Sequence, residues 1–169
     1  MREPTPSQTI GPFFGFALPY AGGPSLVPLD APGALRIEGQ VLDGEDRPVT
    51  DALLEARQAT ESSGSFGRCG TDAEGSFWFC TVKPGRMAAA GGLLQAPHLT
   101  ITVFARGLLR HLVTRMYFPD EDAANAEDPV LQLVDAPRRA LLVAEREPGG
   151  VLRFDVRLQG ERETPFFAL

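Results

Sequence analysis

Short segments with the composition of β-strands, separated by turns rich in Gly and Pro, constrain the fold of this 169-residue chain more than any other feature. These segments are residues 35–43, 52–59, 76–82, 99–105, 110–118, 140–147 and 151–159. The last one alternates cleanly, so Leu152, Phe154 and Val156 are expected on one buried face. Many short strands joined by such turns predict an all-β protein, a β-sandwich of mostly antiparallel strands.

Helix signals are confined to one region of the chain. Asp120 is placed to cap a short turn through residues 121–126. Asp128 followed by Pro129 is a favourable start for a second turn, because proline suits the first helical position. The sequence therefore predicts one short helical excursion within a β-sandwich domain that covers residues 34–169.

Residues 1–33 differ in composition from the rest of the chain. They are rich in Pro and Gly, yet they also contain Phe13, Phe14 and Phe16, which are unfavourable in a solvated tail. We therefore expect an extended N-terminal arm that packs either on its own domain or on a partner chain. The sequence leaves both alternatives open.

Charge and composition limit the classes of function. A net charge of -6 without a basic run argues against nucleic acid as a partner. No segment approaches the roughly 18 apolar residues of a membrane span, and the first residues lack the apolar core of a signal peptide. A turn at residues 72–75 would place Trp78, not Cys80, opposite Cys69, so we expect two free thiols, as in a cytoplasmic protein.

The segment APHLTITVFARG, residues 96–107, raises the question of a metal site. On a strand, His98 and Thr100 share one face, at the spacing at which two ligands would lie together. The second position is a threonine, and the chain has no C-x-x-C or H-x-x-x-H pattern to complete a zinc site. The residues alone therefore favour a hydrogen-bonded strand histidine over a metal ligand.

Three further segments carry side chains suited to binding or catalysis. The serines of residues 61–65 lack the strand–turn–helix context of a hydrolase nucleophile and are expected in a loop. The segment TPSQTIGPFF, residues 5–14, offers hydroxyls and a glycine that permits close approach; it is either a packed arm or part of a neighbour's pocket. Arg106 ends the His98 strand, where it is either solvated or suited to the carboxylate of an aromatic acid.

Several stretches, in order along nearly the whole chain, resemble the intradiol ring-cleavage dioxygenases, and most closely the alpha chains of those that act on protocatechuate. They are TPSQTIGPFF, IEGQVLDGEDRPVTDALLEARQA, RCGTDAEGSFWFCTVKPG, APHLTITVFARGLLRHLVTRMYFPDE and RFDVRLQGERETPFF. The resemblance implies a β-sandwich. It also implies that two tyrosines and two histidines hold a non-haem ferric ion in the iron-bearing chains of the family.

This chain departs from the family's ligand set at three positions. Thr100 stands where the second histidine of a His-x-His pair is expected, and Arg86 and Met87 follow the Pro-Gly after which a tyrosine is expected. Residues 60–66, a loop shorter than is usual for the alpha chain, contain no tyrosine. The resemblance thus implies a non-catalytic alpha subunit that binds no metal, with Fe(III) held by a homologous beta subunit in a larger alpha/beta heteromer.

The resemblance also assigns substrate-binding residues, which would line a pocket on the partner's iron. These residues are Thr9, Gly11, Pro12 and Arg106. The implied reaction converts protocatechuate and dioxygen to 3-carboxy-cis,cis-muconate, in aromatic catabolism by the beta-ketoadipate pathway. Two alternatives remain at this point: a transthyretin-like β-sandwich binding module without a catalytic role, and a self-sufficient enzyme, which would need ligands that this chain lacks.

Overall fold

The computed structural model describes residue 11, residues 13–59 and residues 64–168. Its strands are β1 (Ala34–Leu42), β2 (Leu53–Ala59), β3 (Gly64–Gly70), β4 (Ser76–Val82), β5 (Met87–Ala88), β6 (Leu94–Gln95), β7 (His98–Phe104), β8 (Leu112–Tyr117), β9 (Glu145–Arg146), β10 (Leu152–Arg153) and β11 (Val156–Arg157). The α-helices are α1 (Phe14–Ala17) and α2 (Asp122–Glu127). Segments of 3-10 helix cover Ala90–Gly92, Leu131–Leu133 and Ala136–Leu142.

Two sheets face each other, which confirms the predicted β-sandwich. In the first sheet β1 pairs antiparallel with β4 and parallel with the short strands β10 and β11, and β9 pairs with β10. The second sheet has the order β3-β2-β7-β8 and is antiparallel throughout. Strands β5 and β6 form a separate small hairpin.

The core lies between the two sheets, and β7 shows how the sequence pattern builds it. Leu99, Ile101 and Val103 are fully buried, whereas the residues between them are half-buried on the other face of the strand. The buried face meets Ile37 and Phe79 of the first sheet in one apolar cluster. Each such side chain stabilises the fold by roughly 1.5–3 kcal/mol through its removal from water.

The predicted strand at residues 151–159 is interrupted. Phe154, which lies between β10 and β11, donates its backbone N–H to the Glu38 carbonyl, and a Cβ atom on Gly39 would lie only 1.9 Å from the Phe154 carbonyl oxygen. The Asp155 carboxylate accepts a hydrogen bond from the Gln40 N–H at 3.0 Å. This close approach requires glycine at position 39 and divides the strand, although the buried face is the predicted one.

Two local predictions between residues 120 and 147 are wrong. Residues 140–142, predicted as part of a strand, belong to a 3-10 helix that has Pro137 in its first turn. The chain is extended at Val143, which bridges to Tyr117, and strand β9 covers only Glu145 and Arg146. Asp120 does not cap α2, because its carboxylate pairs with the Lys83 ammonium at 3.0 Å. Asp128 does cap the following turn, as predicted.

The region around the cysteines also differs in part from the prediction. Residues 72–75 form the expected turn, but β3 and β4 belong to different sheets and therefore do not pair as a hairpin. Both cysteines are buried and free, as expected. Gly64 and Ser65, predicted in a loop, begin β3, while residues 61–63 lie outside the described part of the chain. None of the helices in the described part is long and apolar enough to cross a membrane.

Candidate functional site

Strand β7 carries the two candidate residues of the APHLTITVFARG segment at opposite ends. His98 is its first residue, and Arg106 follows its last residue, Phe104, by two positions. At about 3.3 Å per residue, the two positions are roughly 26 Å apart. One small ligand therefore cannot contact both side chains, and each end has to be considered separately.

At the first end, His98 is a partly buried, neutral histidine. Its Nδ1 lies 2.8 Å from the Ala96 carbonyl oxygen, and its ring centroid lies 5.7 Å from that of Tyr117, its register partner on β8. Burial, and secondarily the nearby Arg115 guanidinium, lower the pKa of His98 below its usual value of 6.5. At neutral pH Nδ1 therefore carries the hydrogen and donates it to Ala96.

Asp128 is the centre of the hydrogen-bond network beside His98. Its Oδ1 accepts from the Tyr117 hydroxyl at 3.1 Å and from the backbone N–H groups of Val130 and Leu131 at 2.9 and 2.7 Å. Its Oδ2 accepts from the Ala96 N–H at 2.7 Å. The side chain is fully buried. One carboxylate thus ties β8, the 128–133 turn and the entry to β7 together.

Tyr117 acts in this network as a protonated phenol. Its ring is fully buried, and burial raises the pKa of its hydroxyl well above the usual range. The Arg115 Nη1 lies 3.5 Å from the hydroxyl oxygen, and the same nitrogen donates to the Gln95 side chain at 2.6 Å. The phenol therefore serves as a hydrogen-bond donor to Asp128.

These donor groups do not fit a ferric ion. In the described part of the chain, no three or more His, Cys, Asp or Glu side chains cluster in a way that could hold a metal. Both oxygens of Asp128 already accept hydrogen bonds, and Tyr117 keeps its proton. Ferric iron requires anionic ligands with available lone pairs, which His98 and its neighbours do not offer.

The lowered pKa of His98 leads to a prediction for the pH dependence of stability. Near pH 6.5 the unfolded chain binds a proton that the folded chain does not bind, so the free energy of unfolding falls as the pH drops through this range. His98→Asn keeps a donor near the Ala96 carbonyl but removes the titration. We expect urea unfolding of this variant to show a smaller loss of stability between about pH 7.5 and 5.5 than the wild type.

The matched control for this prediction is the exposed His111→Asn, which changes the same residue type outside the buried network. Arg115 and Asp128, the charged groups near His98, remain in place in both variants. Wild-type pH dependence in the His98→Asn variant would contradict the prediction.

At the other end of β7, Arg106 is exposed. Its side chain is 73% accessible and pairs with Asp51, with the Nε atom 3.1 Å from Oδ2. Gly107 follows in the left-handed region at a φ of 87°, which turns the chain away from β7. Such an exposed ion pair contributes little to stability, so the guanidinium is available to another anion.

The N-terminal arm reaches the same end of the strand. Phe14, the first residue of α1, is buried, and its ring centroid lies 6.3 Å from that of Phe104. Gly11 precedes Phe14 by three positions and has a positive φ of 67°. Thr9 and Pro12, the other predicted substrate-binding residues, lie outside the described residues.

Exposed apolar side chains surround this end of β7. Phe13 and Phe16 flank the buried Phe14 and are 65% and 71% accessible, with their rings edge to face at 4.7 Å. Leu109 is exposed in the loop that follows Arg106. Clustered exposed aromatic residues of this kind typically mark a contact surface.

A surface cavity of about 310 Å³ lies elsewhere, beside β10 and β11. The arginines that line this cavity are already paired with carboxylates. The Arg153 Nε donates to Asp155 Oδ1 at 2.7 Å, and the Arg157 Nη1 lies 3.3 Å from Asp46 Oδ1. Neither end of β7 contributes to its lining. The cavity is therefore separate from the candidate residues.

Sequence reasoning missed several members of the two sites. Asp128 was predicted only as a helix cap, Tyr117 was counted only among the possible ligand types of the chain, and Arg115 was not considered. A signal was present: pairing residues 99–105 with residues 110–118 as neighbouring strands brings Tyr117 close to His98. The register that places them opposite each other appears only in the folded sheet.

Comparisons with known proteins give consistent results. The alpha chain of protocatechuate 3,4-dioxygenase from Burkholderia cepacia is 46% identical over 193 aligned residues, covering 96% of each chain. The beta chain of the same enzyme from Burkholderia cepacia is 31% identical over 156 residues, which cover 76% of this chain and 66% of that one. No model of a known protein family matches the chain.

Among solved structures, the dioxygenase domain of a dioxygenase carbohydrate-binding protein fusion from Streptomyces sp. SirexAA-E is similar over 94% of this chain and 99% of its own, with a TM-score of 0.60 and 27% identity. The similarity extends over nearly the full length of both chains, and the sandwich is therefore their common architecture.

Proposed function

Since this chain belongs to the protocatechuate 3,4-dioxygenase alpha chains, within the intradiol ring-cleavage dioxygenases, we propose that it is a non-catalytic subunit that completes an active site carried by a beta subunit. The proposed reaction converts protocatechuate and dioxygen to 3-carboxy-cis,cis-muconate, a step of aromatic catabolism in the beta-ketoadipate pathway. The Fe(III) of this reaction is held by the beta chain.

The donor set around His98 is the observation that carries the proposal. The chain is related to both the alpha and the beta chain of one enzyme, yet its own ligand strand offers a single histidine, with Nδ1 bonded to Ala96. The neighbouring Tyr117 hydroxyl donates a hydrogen bond to the Asp128 carboxylate. Because this ligand strand cannot hold ferric iron, the iron has to be bound by a partner chain.

The ferric ion on the beta chain would supply the redox activation of the catecholate for reaction with dioxygen. This chain's own residues bind and orient the substrate. The Arg106 guanidinium pairs with the substrate carboxylate in place of Asp51, and Thr9 donates a hydroxyl hydrogen bond. Gly11 and Pro12 place backbone close to the ring, so that the arm excludes water from the pocket.

The exposed aromatic residues support a partner at this end of β7. Phe13 and Phe16 are mostly accessible although they flank a buried phenylalanine. A beta chain packed on them would remove apolar surface from water beside Arg106, and about 25 cal/mol per Å² of such burial would favour association. The proposed pocket therefore lies between the two chains.

Co-expression with the cognate beta chain tests the proposal. We expect a red-brown complex, coloured by tyrosinate-to-iron charge transfer, that cleaves protocatechuate, whereas this chain purified alone should lack iron and activity. A colourless, inactive complex would favour the alternative of a binding module without catalytic role. Stoichiometric iron and ring cleavage by this chain alone would refute the assignment of iron to the partner.

A further inference from the structure

The N-terminal arm is fastened to the outer face of the second sheet at several points between Phe14 and Gly23. Phe14 is buried against Phe104 of β7. Further along, the Gly23 carbonyl accepts the backbone N–H of Arg68 on β3 at 2.6 Å. The course of the arm is therefore fixed at both ends of this segment.

Between these two points, the Arg68 side chain holds the arm. Its Nη1 donates to the Leu18 carbonyl oxygen at 2.8 Å. Its Nε, at 3.0 Å, and its Nη2 both donate to one oxygen of Glu55 on β2. The guanidinium also lies 5.3 Å from the Phe66 ring centroid and 6.0 Å from that of Tyr20. One planar side chain thus joins β2, β3 and the arm.

The ion pair between Arg68 and Glu55 is largely buried. The side chains of Arg68 and Glu55 are only 19% and 10% accessible, in contrast to most ion pairs in the described part of the chain. A buried carboxylate needs its partner, because leaving it unpaired is costly. Glu55 therefore fixes the orientation of the guanidinium, and the guanidinium in turn fixes Leu18.

Two glycines bring the arm close enough to make these contacts. A Cβ atom on Gly23 would lie 2.6 Å from the Arg68 carbonyl oxygen, and one on Gly67 would lie 2.4 Å from Leu26 Cδ1. Both distances are shorter than van der Waals contact. The two glycines thus allow the arm to pack directly against β3, next to Arg68.

We propose that Arg68 is a positioning residue, which fixes the arm through the Leu18 carbonyl so that Gly11, ahead of the fastened segment, is held at the partner subunit's substrate pocket. This role rests on the proposed function. Gly11 lies three positions before Phe14 in the chain, so a shift of the fastened segment displaces Gly11 as well. Displacement weakens substrate binding without altering the iron, which the partner holds.

The test uses the alpha/beta complex with the variant Arg68→Lys. Lysine keeps a cation beside Glu55 but lacks the planar fork whose separate nitrogens face Glu55 and Leu18. We expect unchanged assembly and iron content, faster amide hydrogen exchange in residues 13–23, and a KM for protocatechuate raised about 10-fold with little change in kcat.

Two variants serve as matched controls. Glu55→Gln perturbs the same pair but leaves an acceptor for Arg68 and the Arg68–Leu18 bond, so it should lower stability without changing KM. Arg153→Lys alters another ion-paired arginine. Arg153 donates a hydrogen bond to Asp155 in the first sheet, away from the arm. It should change neither KM nor exchange in the arm.

The outcomes separate this inference from the proposed function. Unchanged exchange in the arm, or faster exchange with an unchanged KM, in Arg68→Lys would overturn the positioning role. A raised KM in Glu55→Gln equal to that of Arg68→Lys would also overturn it, since the ion pair alone would then account for the effect. A wild-type complex that does not cleave protocatechuate overturns the proposed function, while the exchange data still decide whether Arg68 holds the arm.

Discussion

Replacing Asp128 with alanine is expected to destabilise the chain by about 3–5 kcal/mol, because the carboxylate serves four donors in a site closed to water. The variant leaves the N–H groups of Ala96, Val130 and Leu131 and the Tyr117 hydroxyl without their acceptor. Each buried donor left unpaired costs about 1–3 kcal/mol, and local rearrangement recovers part of the sum. Urea unfolding of the purified chain measures the loss as a lower midpoint.

Two further variants test the physical cause. Asp128→Asn keeps one acceptor oxygen but turns an NH₂ group toward another N–H, so its loss of stability should be substantial but smaller. Asp135→Ala removes an exposed carboxylate that makes no capping hydrogen bond and should change stability by no more than about 0.5 kcal/mol. Equal effects of Asp128→Ala and Asp135→Ala would contradict the role of the network.

Arg106→Ala is expected to lower kcat/KM of the alpha/beta complex for protocatechuate by up to about 30-fold, or about 2 kcal/mol, mainly through a higher KM. Plain catechol lacks the carboxylate, so its kinetic constants should change much less. The structure supports this role because Arg106 is exposed and pairs with Asp51, itself a partly exposed carboxylate. Steady-state kinetics on both substrates gives the measurement.

Controls for Arg106 come from its own surroundings. Asp51→Asn removes the ion-pair partner but keeps the guanidinium, and it should alter kcat/KM by less than about 2-fold. Arg110→Ala removes an exposed arginine from the same loop and should have a similarly small effect. Equal losses for protocatechuate and catechol in Arg106→Ala would show that Arg106 does not recognise the carboxylate.

Local sequence patterns correctly predicted which strand residues are buried and where one turn is capped. The period-two alternation of residues 151–159 correctly assigned Leu152, Phe154 and Val156 to a buried face. This assignment follows from neighbours along the chain, since alternation sets which face an extended residue occupies. The capping role of Asp128 was predictable for the same reason.

The failures arose where distant segments meet. The break between β10 and β11 depends on the approach of Gly39 to Phe154, and the failure of Asp120 to cap α2 depends on Lys83. Arg68 was not predicted as an anchor, because nothing in its local sequence indicates that Leu18 lies within hydrogen-bond distance. No local pattern encodes such long-range contacts.

Residue types and their spacing were sufficient for the sandwich, for the resemblance to the intradiol dioxygenases and for the lack of a second ligand at Thr100. The folded chain was needed to show that Tyr117 and Asp128 lie beside His98, and that Phe14 is buried while Phe13 and Phe16 are exposed. Burial and hydrogen-bond partners depend on strand register and on the course of the arm, and both are set by contacts between residues far apart in the chain.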